Sequence, residues 1–312
     1  MSILKVLVPN SQRAVLNIKR ALRKPRARLY EAIGGGGPIP FSPRDRSAAT
    51  FFALTFGLSV PFWIAGALTN TRLLPAIPIS ALGVVCMVGA ASILVYRENG
   101  LPGVMALLKR SFDFKRVKAK RWYLPTLLLM PCVIVSSYVV MRLMGVVLPA
   151  PQVSLTTTTI LFIVFFVAAV GEELGWSGYA IDPLQERFGA LGGALLLGAV
   201  WVVWHLIPLL SAGRSLAWIA WWALGTVSYR VIITWLYNNT GRSVFVAVLF
   251  HATINVTYFL FPVQGSSYDP RVTGLIVALI AVVVTAAYGP RALIRGRAVQ
   301  GSTVREALPP AS

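Results

Sequence analysis

Two adjacent carboxylates, Glu172 and Glu173 in GEELGWSGYA, directly follow the apolar run LFIVFFVAAV. The chain carries ten acidic residues and two histidines. Glu172, Glu173, His205 and His251 fall inside apolar runs, as does one arginine, Arg230, while the remaining acids are expected in loops, tails or helix ends. A charge placed in lipid is costly unless it is paired or hydrated, so such residues face a watery interior and do chemistry or transport. These types suit hydrolysis. Glu172 beside His205 can take a proton from water and hand it to a leaving amine. His251 and Asn255, one helical turn apart in HATIN, share a face and can donate hydrogen bonds to a developing oxyanion. The set describes peptide hydrolysis without a covalent intermediate. There is no GxSxG, no cysteine adjoins either histidine, and Ser177 has no base partner evident from spacing. Nucleophilic serine or cysteine catalysis is therefore the weaker choice. A metal version uses the same groups: Glu172, His205 and His251 could hold zinc with an open water position, and Asn255 could be a weak fourth ligand or an outer group. HExxH is absent. The residues alone leave a zinc mechanism and one without a cofactor both open.

Convergence of these groups depends on the elements that carry them. Glu172 and Glu173 point about 100° apart on a helix, so one can face a cavity and the other a neighbouring helix. The polar stretch from Asp182 to Arg187, followed by Gly189, reads as the turn of a tight hairpin. Residues equidistant from such a turn lie side by side, which puts Glu172 level with His205. Counting from Asp182 back to Glu172, and from Arg242 on to His251, gives depths of roughly 14–15 Å at the helical rise. Arg230 lies roughly 11 Å from Asn238 by the same count. Trp201 and His205, in WVVWH, share a face as His251 and Asn255 do. Gly189, Gly193 and Gly198 predict close packing of this span on its neighbours.

With 312 residues, 56% of them hydrophobic and 12% charged, the chain is too apolar for a soluble domain of its length. Its mean hydropathy is +0.72. The expected class is all-α, a polytopic membrane protein with about eight transmembrane helices, at 47–69, 74–96, 123–145, 156–181, 190–210, 216–237, 243–262 and 272–294. The net charge of +19 comes from Lys and Arg flanking these runs, which points to membrane topology and not to nucleic acid. Residues 1–46 and the loop 97–122 hold most of them, while the alternate loops hold one each: Arg72, Arg142, Arg214 and Arg271. Both termini are therefore expected on the cytoplasmic side of an integral membrane protein, in a bacterial cell membrane. Three regions follow: a basic N-terminal segment with a Gly/Pro linker at 1–46, an eight-span core at 47–296, and a disordered tail at 297–312. The first run begins too far in for a cleavable leader. The segment SQRAVLNIKRALRKPRAR, with Ala14, Val15, Ile18 and Leu22 on one helical face, reads as a helix on anionic lipid or as a solvated basic arm. Cys86 and Cys132, each in an apolar run, give no disulfide framework and no zinc motif. Asn238-Asn239-Thr240 matches a glycosylation sequon on the expected cytoplasmic side.

EELGWSGY, WVVWH and HATIN together resemble the three motifs of the CPBP intramembrane proteases, the CAAX-prenyl-protease and bacteriocin-processing group, whose pattern is EExxxR, FxxxH and HxxxN/D. The resemblance covers about residues 156–260 and is specific as a set. It implies that Glu172 is the catalytic glutamate, His205 its partner on the water, His251 and Asn255 the oxyanion or metal side, and Glu173 a supporting carboxylate. It also implies a site reached from the cytoplasm and a membrane-associated, CAAX-type prenylated or otherwise lipidated substrate cut near its C-terminus. Trp201 replaces the Phe of the second motif. Ser177 stands where the family pattern has Arg, so another cation must neutralise a carboxylate or activity is lost. Arg230 is the intramembrane candidate, expected to pair with Glu173. Two other classes follow from the same residues. One is a catalytically silent relative acting as an immunity or scaffold protein. The other is a proton-coupled transporter, which would show internal repeats, and none is visible.

Overall fold

The structure, a computed structural model, describes residues 47–294 apart from 70, 71, 75, 76, 264 and 266. The basic N-terminal segment, its linker, the candidate surface helix at 14–23 and the tail lie outside the described residues. Eight helices follow one another: α1 (Ala48–Thr69), α2 (Val85–Lys109), α3 (Tyr123–Leu143), α4 (Leu155–Gly175), α5 (Ile181–Ser211), α6 (Leu216–Asn239), α7 (Val244–Leu260) and α8 (Pro270–Tyr288). Two short segments, β1 (Arg72–Leu74) and β2 (Ile77–Pro78), pair antiparallel between α1 and α2. The all-α polytopic class stands.

Among the described residues, six helical stretches are long and apolar enough to cross a membrane, and Val244–Leu260 is a shorter apolar one. The largest stretch, Leu155–Ser211, covers 57 residues and joins the expected fourth and fifth spans. It does so because α4 continues without a loop into a π-helical turn, Trp176–Ala180, and then into α5. The reversal expected near Gly189 is present inside α5: Gly189 adopts φ 75°, ψ 172°, a region that glycine enters without steric cost. A Cβ on Gly193 would come within 2.9 Å of the Gln185 nitrogen, so the chain doubles back tightly there. The backbone groups freed at the break are capped from the far end of the chain. Ala190 N donates to Arg291 O and Leu191 N to Pro290 O.

Serines begin three of the helices around the site. Ser154, Ser215 and Ser243 each accept a hydrogen bond from the backbone N–H three residues on, satisfying donors the helix cannot. α4 lies at the centre, packed on α2 and α7; α5 packs on α6 and α1, and α6 on α8. Gly171 and Gly175, one turn apart on α4, allow this approach. A Cβ at 171 would meet Val84 O at 3.0 Å, and one at 175 would meet Met87 Cβ at 2.7 Å. Large apolar side chains such as Val135, Ile163, Val167, Leu279 and Val282 are exposed around the outside, as expected of a surface that faces lipid tails.

Two expectations change. The loop 97–122 is not an exposed basic loop throughout. α2 breaks at Gly100 (φ 63°), runs on to Lys109, and delivers Arg110 to a buried position. Asp182, expected near the cytoplasmic surface, is fully buried. Arg110 reaches Gly178 O, Tyr237 Oη and Arg242 O, while Tyr237 Oη donates to Asp182 Oδ2. An arginine with several acceptors tolerates burial that a lone cation would not.

Candidate active site

The last turn of α4 carries both glutamates into the core, where they divide as their 100° separation predicts. Glu173 is fully buried. Arg230, from α6, grips it with two hydrogen bonds of 2.9 Å, Nη1 to Oε2 and Nη2 to Oε1. The expected pairing of Arg230 with Glu173 is therefore present. Such fork-to-fork contact fixes orientation as well as charge. Ser177 Oγ also donates to Glu173 Oε2, and Arg230 Nη1 reaches Ser177 Oγ at 3.5 Å. The serine in the place of the family arginine thus bridges the carboxylate and an arginine that arrives from another helix. Gly198 makes room for that side chain: a Cβ there would lie 3.0 Å from Val227 Cα and 3.3 Å from Arg230 Cβ.

α7 contributes His251, whose Nδ1 lies 2.9 Å from Glu173 Oε1. This contact aims the ring so that Nε2 faces Glu172, 4.0 Å from its Oε1. Glu172 is nearly as buried but differently held. Its Oε2 accepts hydrogen bonds from the indole N–H groups of Trp201 (2.9 Å) and Trp176 (3.3 Å). Its Oε1 has no hydrogen-bond partner among the described residues. One carboxylate is saturated and the other keeps an oxygen free.

On α5 the residue that bonds Glu172 directly is Trp201, one turn before His205, and the Trp201 ring in turn touches that of His205. The π turn and the short arm of α5 before Gly189 lie between Glu172 and Trp201 in the chain. His205 is half-buried, its Nδ1 2.9 Å from Trp201 O. A carbonyl oxygen only accepts, so Nδ1 carries the hydrogen and Nε2 of the neutral ring is left as an acceptor. Its ring packs against Trp204 and Trp222. Trp201 connects the whole set: its ring touches those of His205 and His251, and the Arg230 guanidinium sits 4.4 Å over it. Asn255 is half-buried one turn beyond His251 and makes no side-chain hydrogen bond among the described residues. Its amide is free to donate.

For a metal, no three His, Cys, Asp or Glu side chains among the described residues are grouped as ligands. Nδ1 of His251 is occupied by Glu173, and Oε2 of Glu172 by the Trp201 and Trp176 indoles. The described residues as arranged do not form a three-ligand set. Two contributors escaped sequence reading. The Trp176 N–H gave no signal beyond its place three residues after Glu173. Asp113 accepts from Ser243 Oγ and from the backbone N–H of Val244 and Phe245, anchoring the start of the helix that bears His251 and Asn255. A cavity of about 500 Å³ lies elsewhere, lined by Met141, Trp218, Trp221, Tyr268, Asp269 and Arg271 among others, and does not include the site.

A family profile described as Type II CAAX prenyl endopeptidase Rce1-like matches residues 154–257. That stretch contains Glu172, Glu173, Trp201, His205, Arg230, His251 and Asn255. Among curated proteins, CAAX prenyl protease 2 of Methanococcus maripaludis is 26% identical over 254 residues, which cover 75% of this chain and 92% of the relative.

Proposed function

We propose that the chain is a CAAX-type intramembrane endopeptidase of the CPBP group, a reading supported by the profile over 154–257 and by the 26% identity to CAAX prenyl protease 2, and that it cleaves a peptide bond near the C-terminus of a membrane-associated, prenylated protein by means of water activated at Glu172. The observation that carries this reading is the unequal holding of the two glutamates. Glu173, saturated by Arg230, Ser177 and His251, serves as a structural anion. Glu172 keeps Oε1 free beside His251 Nε2, where a water can be deprotonated.

In the proposed reaction Glu172 Oε1 takes a proton from water as the oxygen attacks the scissile carbonyl, then passes it to the departing amine. His205 Nε2 accepts a hydrogen bond from the same water and holds it in line. The Asn255 amide and His251 Nε2 face the oxygen on which negative charge develops. Lipid chains of the substrate would lie against the membrane-facing wall while the peptide enters from the cytoplasmic side, which the Lys and Arg distribution assigns to both termini. Arg230 meets the objection raised by Ser177, since it supplies the missing cation in three dimensions.

The test is cleavage of a prenylated peptide by purified protein in detergent, comparing wild type with Glu172→Ala, His205→Ala, His251→Ala and Asn255→Ala. Each is expected to abolish or strongly reduce turnover with the fold retained. Turnover that disappears on chelation and returns with zinc would replace the metal-free route by a metal-assisted one.

A further inference from the structure

We infer that Trp201 and Trp176 are positioning residues that decide which oxygen of Glu172 acts as the base. This rests on Glu172 being that base. A carboxylate turns readily about its last side-chain bond, since that torsion is broad and roughly two-fold. Left alone, Glu172 would present either oxygen, or neither in line, to a bound water. Two indole N–H groups remove this freedom. Both donate to Oε2, Trp201 at 2.9 Å and Trp176 at 3.3 Å, and neither touches Oε1. Both rings are buried, Trp176 completely, so water does not compete for the same oxygen. The remaining oxygen is the one 4.0 Å from His251 Nε2.

The two donors come from different elements, which makes the clamp a report on assembly. Trp176 opens the π turn that follows α4, and its ring is wedged edge-on against Phe51 of α1 at 5.5 Å. Trp201 belongs to α5 and returns across the hairpin. Its face carries the Arg230 guanidinium, which in turn holds Glu173. One indole therefore spans both carboxylates, binding the first through its N–H and the second through a cation on its ring. The phenylalanine that the family pattern has at this position offers the ring but no donor, so the N–H to Glu172 is a feature of this chain. Holding a reacting group in one orientation before the substrate arrives removes an ordering cost from the transition state.

The experiment replaces each indole by benzothienylalanine, which keeps the shape and loses the N–H, alongside Trp201→Phe and Trp176→Phe, with turnover of a prenylated peptide measured under steady-state conditions. Loss of the Trp201 donor is expected to lower kcat about tenfold with KM changed by less than about twofold, as for loss of a hydrogen bond to a charged group. The Trp176 replacement should cost less, and the double replacement more than either. Should Trp201→Phe fail to fold, the shape-preserving variant decides. Unchanged kcat in the doubly replaced protein, with Glu172→Ala inactive, overturns the inference and leaves the base assignment standing. A raised KM at constant kcat also overturns it, by making Trp201 a substrate contact. Full activity in Glu172→Ala instead removes the reading on which the inference depends.

Discussion

At the scale of single residues, the site is defined by a contrast between neighbours. Glu173 has four side-chain hydrogen bonds and Glu172 has two, both on one oxygen. Breaking a buried ion pair by removing one partner leaves an uncompensated charge and costs on the order of 3–5 kcal/mol. Arg230→Ala is accordingly expected to lower the thermal midpoint sharply in detergent and to abolish turnover. Arg230→Ala combined with Ser177→Arg, which restores an arginine at the motif position beside Glu173, should recover part of both. Stability recovered without turnover would make Arg230 structural alone. Asn255→Ala leaves every hydrogen bond among the described residues intact and should spare the midpoint while lowering kcat by about 10²–10³, the range for loss of one oxyanion donor. The pairing of Arg230 with Glu173 was legible in the sequence because only one arginine lies deep in a span. The Trp201 and Trp176 donors were not, because an indole in an apolar run reads as packing.

At the scale of elements, three breaks in regular helix place the chemistry. The π turn at Trp176–Ala180 brings Ser177 back onto Glu173. Counting residues from the turn brought Glu172 to the level of the Trp201–His205 face, and the residue there that bonds it is Trp201. Gly189 and Gly100 permit the other two breaks through positive φ. Close packing around α4 is equally exacting. A Cβ at Gly175 would come within 2.8 Å of Phe51 Cζ and 2.7 Å of Met87 Cβ. Gly175→Ala must therefore part α1 and α2 from α4, and should cost about 1–3 kcal/mol in thermal unfolding. The start of α8 shows pH dependence at its surface. Asp269 caps that helix by accepting from Arg271 N at 2.8 Å, and its hydrogen bonds with the Arg271 side chain hold its carboxyl below the ordinary range. A depressed carboxylate stabilises at pH values above its unfolded value, and that contribution is lost as pH falls through the folded one. Asp269→Ala should therefore cost about 1 kcal/mol at neutral pH, typical of a lost cap, and progressively less as the solution is acidified below about pH 4.

For the molecule as a whole, composition was enough to reveal an all-helical membrane protein, and three motifs on α4, α5 and α7 were enough to reveal its resemblance to the family whose profile matches residues 154–257. Other features were hidden because they depend on contacts far apart in the chain. Arg110 counted as one more cytoplasmic cation in a basic loop, yet it is buried against Gly178, Tyr237 and Arg242. Asp182 counted as a turn residue, yet it is fully buried and joined to Tyr237. The segment after α8 closes the break at Gly189, with Asn238 and Asn239 side chains donating to Ala292 O and Leu293 O, so the sequon there is occupied by structural bonds. These long-range ties hold α4, α5, α6 and α7 around one pair of glutamates that are held in opposite ways. The most direct test of that division is cleavage of a prenylated peptide by Glu172→Gln, with the thermal midpoint measured on the same preparation. The account predicts an intact midpoint and no detectable product. Turnover at the wild-type rate in Glu172→Gln would contradict it.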